Sequence, residues 1–335
     1  ESWSNLPLNE SFANYSQYLW DEFRFGVDEA DFQADGEAEG YFQSAQGGGY
    51  HDLIWFDYED KEQMFDGHSY NKGGRILHML RNYLGDEAFF KALNLYLTNN
   101  KFKPAEFNQL RLAFEEVTGK DMNWFWNQWY YGSGHPKLKI SYDYDSAGHA
   151  SVIINQSQKS GKVFILPIAV DVYVKGNKTR YNITTSSLSD TFKFNVTEKP
   201  EWISVDADKI LLAEKTDNKS EENYTAQLKY GKSYLDRKEA LDYFGKKRNP
   251  MVAKGLEDKF YGLRISTINK IQTSTSLKED TMLINKIEVI AKNDPNRKVR
   301  AAAIEFLADN GDKKYLSIYE KAINDSSYRV AGAAF

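Results

Sequence analysis

In LPLNESFANYSQYLW (residues 6–20), apolar and polar side chains recur at helical spacing. Leu8, Phe12, Tyr15 and Leu19 share one face, and Glu10, Asn14, Gln17 and Asp21 fall on the other. The period is lost over residues 26–63, where an acidic run (DEADFQADGEAE) passes into GGGY (47–50). This predicts an irregular, exposed segment, and no phosphate-cradling glycine motif stands in it. From residue 69 the helical period returns. Ser69 is placed to cap a helix carrying Ile76, Leu77, Leu80 and Leu84, which Gly85 ends. Residues 86–98 predict a second helix with Phe89, Phe90, Leu93 and Leu97 on its apolar side. Pro104 suits the first turn of a third, carrying Phe107, Leu110 and Phe114. DMNWFWNQWYYGSG (121–134) predicts a short aromatic helix stopped by glycine.

At His135-Pro136 the period changes from helical to alternating. KLKISYDY, ASVIINQ, KVFILPIAVDVYV, TRYNITT and TFKFNVTE read as short strands of a small antiparallel β-sandwich. Beyond EKTDNKSEEN the helical pattern resumes. There NDPNRKVRAAAI (293–304) matches NDSSYRVAGAAF (324–335), with Val299 over Val330 and Ala303 over Ala334, and YGLRISTI (261–268) is a looser copy. Units of this kind bury their faces only by stacking, which predicts HEAT-like helical repeats with a truncated last copy. The expected organisation is multidomain, mainly α with a β-sandwich: helical residues 1–134, sandwich 135–215 and a helical repeat domain 222–335.

Composition narrows the chemistry. A net charge of −5 without a dense Lys/Arg stripe argues against a nucleic-acid partner. Zero cysteines exclude disulfides, thiolate metal sites and cysteine nucleophiles. No apolar run reaches membrane-spanning length. The five histidines form no H-x-x-x-H pair, so the chain has no helical two-histidine zinc grip, and no G-x-S-x-G elbow is present. The chain starts at Glu1 without a basic-then-apolar leader and stops within a helical pattern, so both ends read as cut. Taken alone, Glu10 is a helix-surface acid favoured by the helix dipole, and Tyr70 is one tyrosine among 22.

Order and spacing say more than single residues. LPLNESFANYSQYLW, then SYNKGGRILHMLRNYLGDEAFFKALNLYL (69–97), then WFWNQWYYGSGHPKLKISY (124–142) resembles the M1 family of zinc aminopeptidases, the gluzincins related to aminopeptidase N. The resemblance is close over about the first 135 residues and architectural beyond them. It implies that residues 1–134 are the helical C-terminal lobe of a thermolysin-like catalytic domain. It also implies that Glu10 is a zinc-binding carboxylate, Tyr70 the catalytic tyrosine that meets the oxyanion, and Asn9 a neighbour shaping the ligand turn. Ser11 stands where the family usually has glycine, and a small residue there keeps the helix close to its neighbour.

The family's H-E-x-x-H, with two zinc-binding histidines and the general base, lies fewer than about twenty-five residues before the third ligand. Its counterpart would precede Glu1, as would the G-x-M-E-N strand that grips a substrate's amino terminus. The resemblance therefore implies zinc in a full-length enzyme, none bound by residues 1–335 alone, and no peptidase activity of these residues alone. The implied partners are peptide substrates and the missing N-terminal part of the same polypeptide. Relatives of this type are often exported to the periplasm or outside the cell. A non-catalytic scaffolding module with HEAT-like repeats is the competing expectation.

Overall fold

In the computed structural model, which describes residues 2–145, 147–309 and 313–335, the chain opens on a helix, α1 (Pro7–Phe25). Proline at its first position gives up no hydrogen bond there, and Gly26 ends it with a φ of 93°. Its buried face comprises Pro7, Ser11, Tyr15, Tyr18 and Asp21. Leu8, Phe12 and Leu19 are only half-buried. The buried stripe is therefore rotated from the expected apolar one, and two polar residues lie in it.

The expected irregular segment is instead largely helical. Val27–Gly48 forms α2, 22 residues long, burying Ala30, Ala34, Tyr41 and Ala45. Its signal is small rather than oily: alanines a turn apart pack closely and have the highest helix propensity. Asp28 and Glu29 in the first turn complement the helix dipole. The glycines that argued against a helix are tolerated along its length.

Four helices complete the lobe: α3 (Gly73–Leu84), α4 (Asp86–Asn99), α5 (Phe107–Thr118) and α6 (Asn123–Trp129). A π-helical turn, His68–Lys72, leads into α3, so Ser69 lies inside that turn and is not a cap. Gly85 ends α3 with a φ of 84°. In α4 only Phe89 and Ala92 are buried, while Phe90 and Leu97 face solvent. The start of α5 is set by Glu106 and Gln109, which cap one another's backbone, and Pro104 lies ahead of the helix. Trp126, Trp129 and Tyr130 are almost fully buried, and the Trp126 indole donates to the Phe107 carbonyl at 3.2 Å.

Seven strands follow among the described residues: β1 (Lys137–Tyr144), β2 (His149–Gln156), β3 (Leu166–Val174), β4 (Asn177–Thr185), β5 (Ser189–Asn195), β6 (Trp202–Val205) and β7 (Glu214–Asp217). They form two sheets, ordered β5-β2-β1-β7 and β4-β3-β6. All pairs are antiparallel except β1 with β7, so the sandwich is mixed rather than purely antiparallel. Strand β2 alternates half-buried and buried residues along its length, as one buried face requires. Leu138, Ile140, Val152 and Ile154 of one sheet and Leu166, Ile168 and Val170 of the other share a core with the helical lobe. Gln128 of α6 bonds the Ile165 backbone through both ends of its amide, at 3.0 and 2.7 Å. Lobe and sheets thus form one compact unit up to Asn223.

The second unit, Tyr224–Phe335, is helical and solenoid-like. Helices α7 (Glu221–Tyr230), α8 (Tyr234–Lys246), α9 (Tyr261–Gln272), α10 (Thr281–Asn293), α11 (Arg297–Asp309), α12 (Leu316–Ile323) and α13 (Tyr328–Gly332) follow in order, α7 spanning the boundary. The aligned Val299 and Val330 are both buried. An arginine–aspartate clasp recurs through the unit: Arg237 with Asp258 at 2.8 Å, Arg264 with Asp294 at 2.8 Å, and Arg300 with Asp325 at 3.0 Å.

Two glycine substitutions should act in opposite directions. A Cβ at Gly73 would meet the Ser11 Oγ at 1.8 Å, whereas one at Gly36, within α2, meets nothing within 4 Å. Gly73→Ala is expected to lower stability by about 1–3 kcal/mol through overpacking. Gly36→Ala is expected to raise it by about 0.5–1 kcal/mol through backbone entropy and helix propensity. Urea unfolding of the first unit checks both signs.

Candidate active site

Glu10 lies in the first turn of α1, and Tyr70 lies in the π turn before α3. The fold brings them together. The Tyr70 phenol is raised above its ordinary value, first by burial and then by the neighbouring Glu10 carboxylate. At neutral pH the hydroxyl therefore keeps its proton and serves as a donor. Asn9 is exposed, and its backbone N–H closes the first turn of α1 on the Leu6 carbonyl at 2.9 Å.

Several contacts hold α1 against the Tyr70 turn. The Ser11 hydroxyl, buried, donates to the Ser69 carbonyl at 2.8 Å. Gly73 leaves room for Ser11, and at Gly74 a Cβ would strike Asn14 Oδ1 at 2.1 Å. Asn14 donates to Glu37 Oε2 at 2.9 Å, and Asn71 donates to the same oxygen. A carboxylate of α2 thus bridges the helix carrying Glu10 and the turn carrying Tyr70.

Asp66, His51 and His68 gather on the other side of that turn. Asp66 Oδ2 is 2.9 Å from His51 Nε2 and 2.6 Å from His68 Nδ1. Burial favours the neutral acid, yet hydrogen bonds from both rings and the Ser69 amide hold the carboxyl well below its usual range. Burial pushes His68 down. These three residues are the group of potential metal ligands found among the described residues, with donor atoms within 4.8 Å of one another. Glu10 stands outside it. A catalytic zinc takes three protein ligands and a water.

Lys72, one turn residue beyond Asn71, is wholly buried. Its ammonium lies 5.8 Å over the Tyr41 ring and donates to the Gly132 carbonyl at 3.4 Å. Burial, with Lys162 adding to it and Asp52 and Asp66 opposing, pushes its pKa down to about 7.

Asp66, His51, His68 and Glu37 escaped the sequence reading. The legible signal was Asp66-Gly67-His68 directly ahead of SYNKGG, an acidic residue where a helix start needs an acceptor.

Comparison with known proteins finds relatives among the aminopeptidases. Residues 1–129 match the model described as the Peptidase family M1 domain. The chain is 30% identical over 208 residues to the tricorn protease-interacting factor F2 of Thermoplasma acidophilum, covering 58% of this chain and 25% of that protein. It is 30% identical over 183 residues to the aminopeptidase N of Lactococcus lactis subsp. lactis, covering 50% of this chain and 20% of that one. The crystal structure of Legionella pneumophila aminopeptidase A in complex with aspartic acid superposes with a TM-score of 0.62 at 16% identity, over 99% of this chain and 40% of that chain. The chain therefore shares its fold with part of that aminopeptidase: helical lobe, small sheet region and solenoid-like helices. Over residues 1–129 the chain is thus similar to an M1-family aminopeptidase domain, and it spans a quarter or less of the length of these two curated relatives.

Lys72 gives this site a pH dependence of known sign. Its folded-state pKa of about 7 lies below the value of about 10.4 expected in the unfolded chain. The folded state therefore binds fewer protons, and the stability this group allows is full above the unfolded value and lost as pH falls toward the folded one. Lys72→Met should gain stability relative to the parent as pH is lowered from about 10 to about 7. Urea unfolding at a series of pH values checks it, and a constant difference contradicts it.

Proposed function

We propose that this chain is part of an M1-type zinc aminopeptidase that removes N-terminal residues from peptides, with Glu10 as the zinc-binding carboxylate and Tyr70 as the catalytic hydroxyl. The observation that carries the reading is the meeting of Glu10 and Tyr70, on one helix and one turn that the family motifs had singled out separately. No H-E-x-x-H stands in the sequence. In this reading the histidine pair and the general base come from polypeptide preceding residue 1, and residues 1–335 alone retain no catalytic zinc and cleave no peptide.

When bound, zinc supplies Lewis-acid polarisation of the scissile carbonyl and a water of lowered pKa. The work of this chain's own residues is narrower. Glu10 offers a carboxylate oxygen from the start of α1. Tyr70, protonated at neutral pH, donates a hydrogen bond to the oxygen on which negative charge develops. One such donor is worth about 3–4 kcal/mol, or about a hundred- to thousand-fold in kcat. The contacts from Ser11 and Glu37 fix the separation between the two.

The test uses the longer polypeptide that carries this chain together with the upstream motif, assayed on aminoacyl p-nitroanilides. Activity should be lost to a chelator, and Tyr70→Phe should lower kcat by about a hundred- to thousand-fold with KM little changed. Activity that survives both treatments contradicts the proposal.

A further inference from the structure

We propose that Asp66 is a positioning residue for Tyr70, and that His51 and His68 act on the catalytic hydroxyl through it; the inference rests on the reading of Tyr70 given above. The two carboxylate oxygens of Asp66 have separate tasks. Oδ1 accepts the backbone amides of His68 at 3.0 Å and Ser69 at 3.1 Å, capping the turn. The Asp66 backbone carbonyl accepts the amide of Tyr70 itself at 3.2 Å. One residue therefore holds three consecutive backbone donors ending at Tyr70. Oδ2 receives the two imidazoles.

Those imidazoles are themselves immobilised. The ring nitrogens of His51 face two oxygens, the Asp52 carbonyl at 2.7 Å from Nδ1 and Asp66 Oδ2 at 2.9 Å from Nε2, so a ring flip would break both contacts. The ring is stacked between Trp55 at 4.3 Å and His68 at 3.8 Å. His68 is buried, with its ring edge-on to Tyr41 of α2. The cluster thus ties the loop after α2 to the turn bearing Tyr70.

The same three residues have the donor types of a metal site, but their arrangement is that of a hydrogen-bonded clasp. A metal lies in the plane of each imidazole it binds, about 2.0–2.1 Å from the nitrogen. Two rings stacked at 3.8 Å and inclined by only 30° cannot both direct in-plane lone pairs at one ion without unstacking. The 2.6 and 2.9 Å separations to Asp66 are hydrogen-bond lengths.

A clasp at this place matters because the π turn is held largely from outside. Five-residue π turns are rare and concentrate at functional sites. Here the Lys72 backbone amide donates to the Gly67 carbonyl at 2.9 Å, and Ser11, Glu37 and Asp66 each bond the turn. A displacement of about 1 Å at a catalytic group costs about a hundred-fold in rate. Removing a partner that orients such a group costs about 10- to 100-fold by analogy with metal-ligand partners.

The discriminating variant is Asp66→Asn, which keeps a carbonyl oxygen for the His68 and Ser69 amides but sets an NH2 against the two rings. In residues 1–335, amide exchange over residues 68–72 is expected to quicken about tenfold or more, while exchange in α9 of the second unit stays unchanged. In the longer enzyme, kcat should fall about 10- to 100-fold with KM within about twofold. Made on a Tyr70→Phe background, the same change should cost less than about twofold further, because a lost positioning role cannot be lost again. A merely structural defect would add its full cost to Tyr70→Phe, and that additivity overturns the proposal. Unchanged exchange at 68–72 overturns it too, as does stoichiometric zinc binding to residues 1–335 that His51→Gln abolishes. A Tyr70→Phe enzyme as active as its parent fails the reading of Tyr70 and the positioning role with it, whereas the exchange arm alone judges the clasp.

Discussion

The close approach of α1 to the turn and helix that follow residue 67 is the constraint on which the site depends. Two glycines permit it. A Cβ at Gly73 or Gly74 would lie 1.8 Å from Ser11 Oγ or 2.1 Å from Asn14 Oδ1, distances no packed side chains share. With the glycines in place, Ser11 reaches the Ser69 carbonyl and Asn14 reaches the carboxylate that also receives Asn71. Glu10 and Tyr70 then meet as a consequence of backbone proximity. Ser11 is accommodated because its hydroxyl finds an acceptor across the interface. Burying it unpaired would cost about 1–3 kcal/mol.

Polar groups, more than apolar ones, give this lobe its particular geometry. The buried face of α1 includes Ser11 and Asp21, and the turn before α3 buries His68, Ser69 and Lys72. Such groups are costly in an apolar interior unless partnered, so each partner fixes a direction as well as a distance. Lys72 shows the cost plainly, since its ammonium meets one carbonyl and one aromatic face. Asp66 shows the opposite case, a carboxylate with both oxygens engaged.

What could be read from residues alone follows from these same forces. The change from helical to alternating period at His135-Pro136 was plain, because half-buried strands such as β2 must alternate. The ends of the segment from the π turn through α3 were half legible: Gly85 marked one, while Asp66, not Ser69, held the other. Helix α2 was hidden because its core face is alanine rather than leucine, and an acidic, glycine-bearing sequence resembles a loop until a neighbour is there to pack against. Glu10 and Tyr70 were singled out only through the order and spacing of family motifs. Their meeting, and the bridging role of Glu37, needed the fold. His51 and His68 carry no spacing rule in the chain, since a loop and a turn bring them to one aspartate.

In the proposed reading, the carboxylate at the start of α1 is a zinc ligand completed by residues outside this chain. Zinc content of the longer polypeptide, measured by mass spectrometry after dialysis, tests it most directly when Glu10→Ala is compared with the parent. The account predicts about one zinc per parent chain and substantial loss from the variant, since catalytic zinc is held by three protein ligands. Equal and full zinc in both would contradict it.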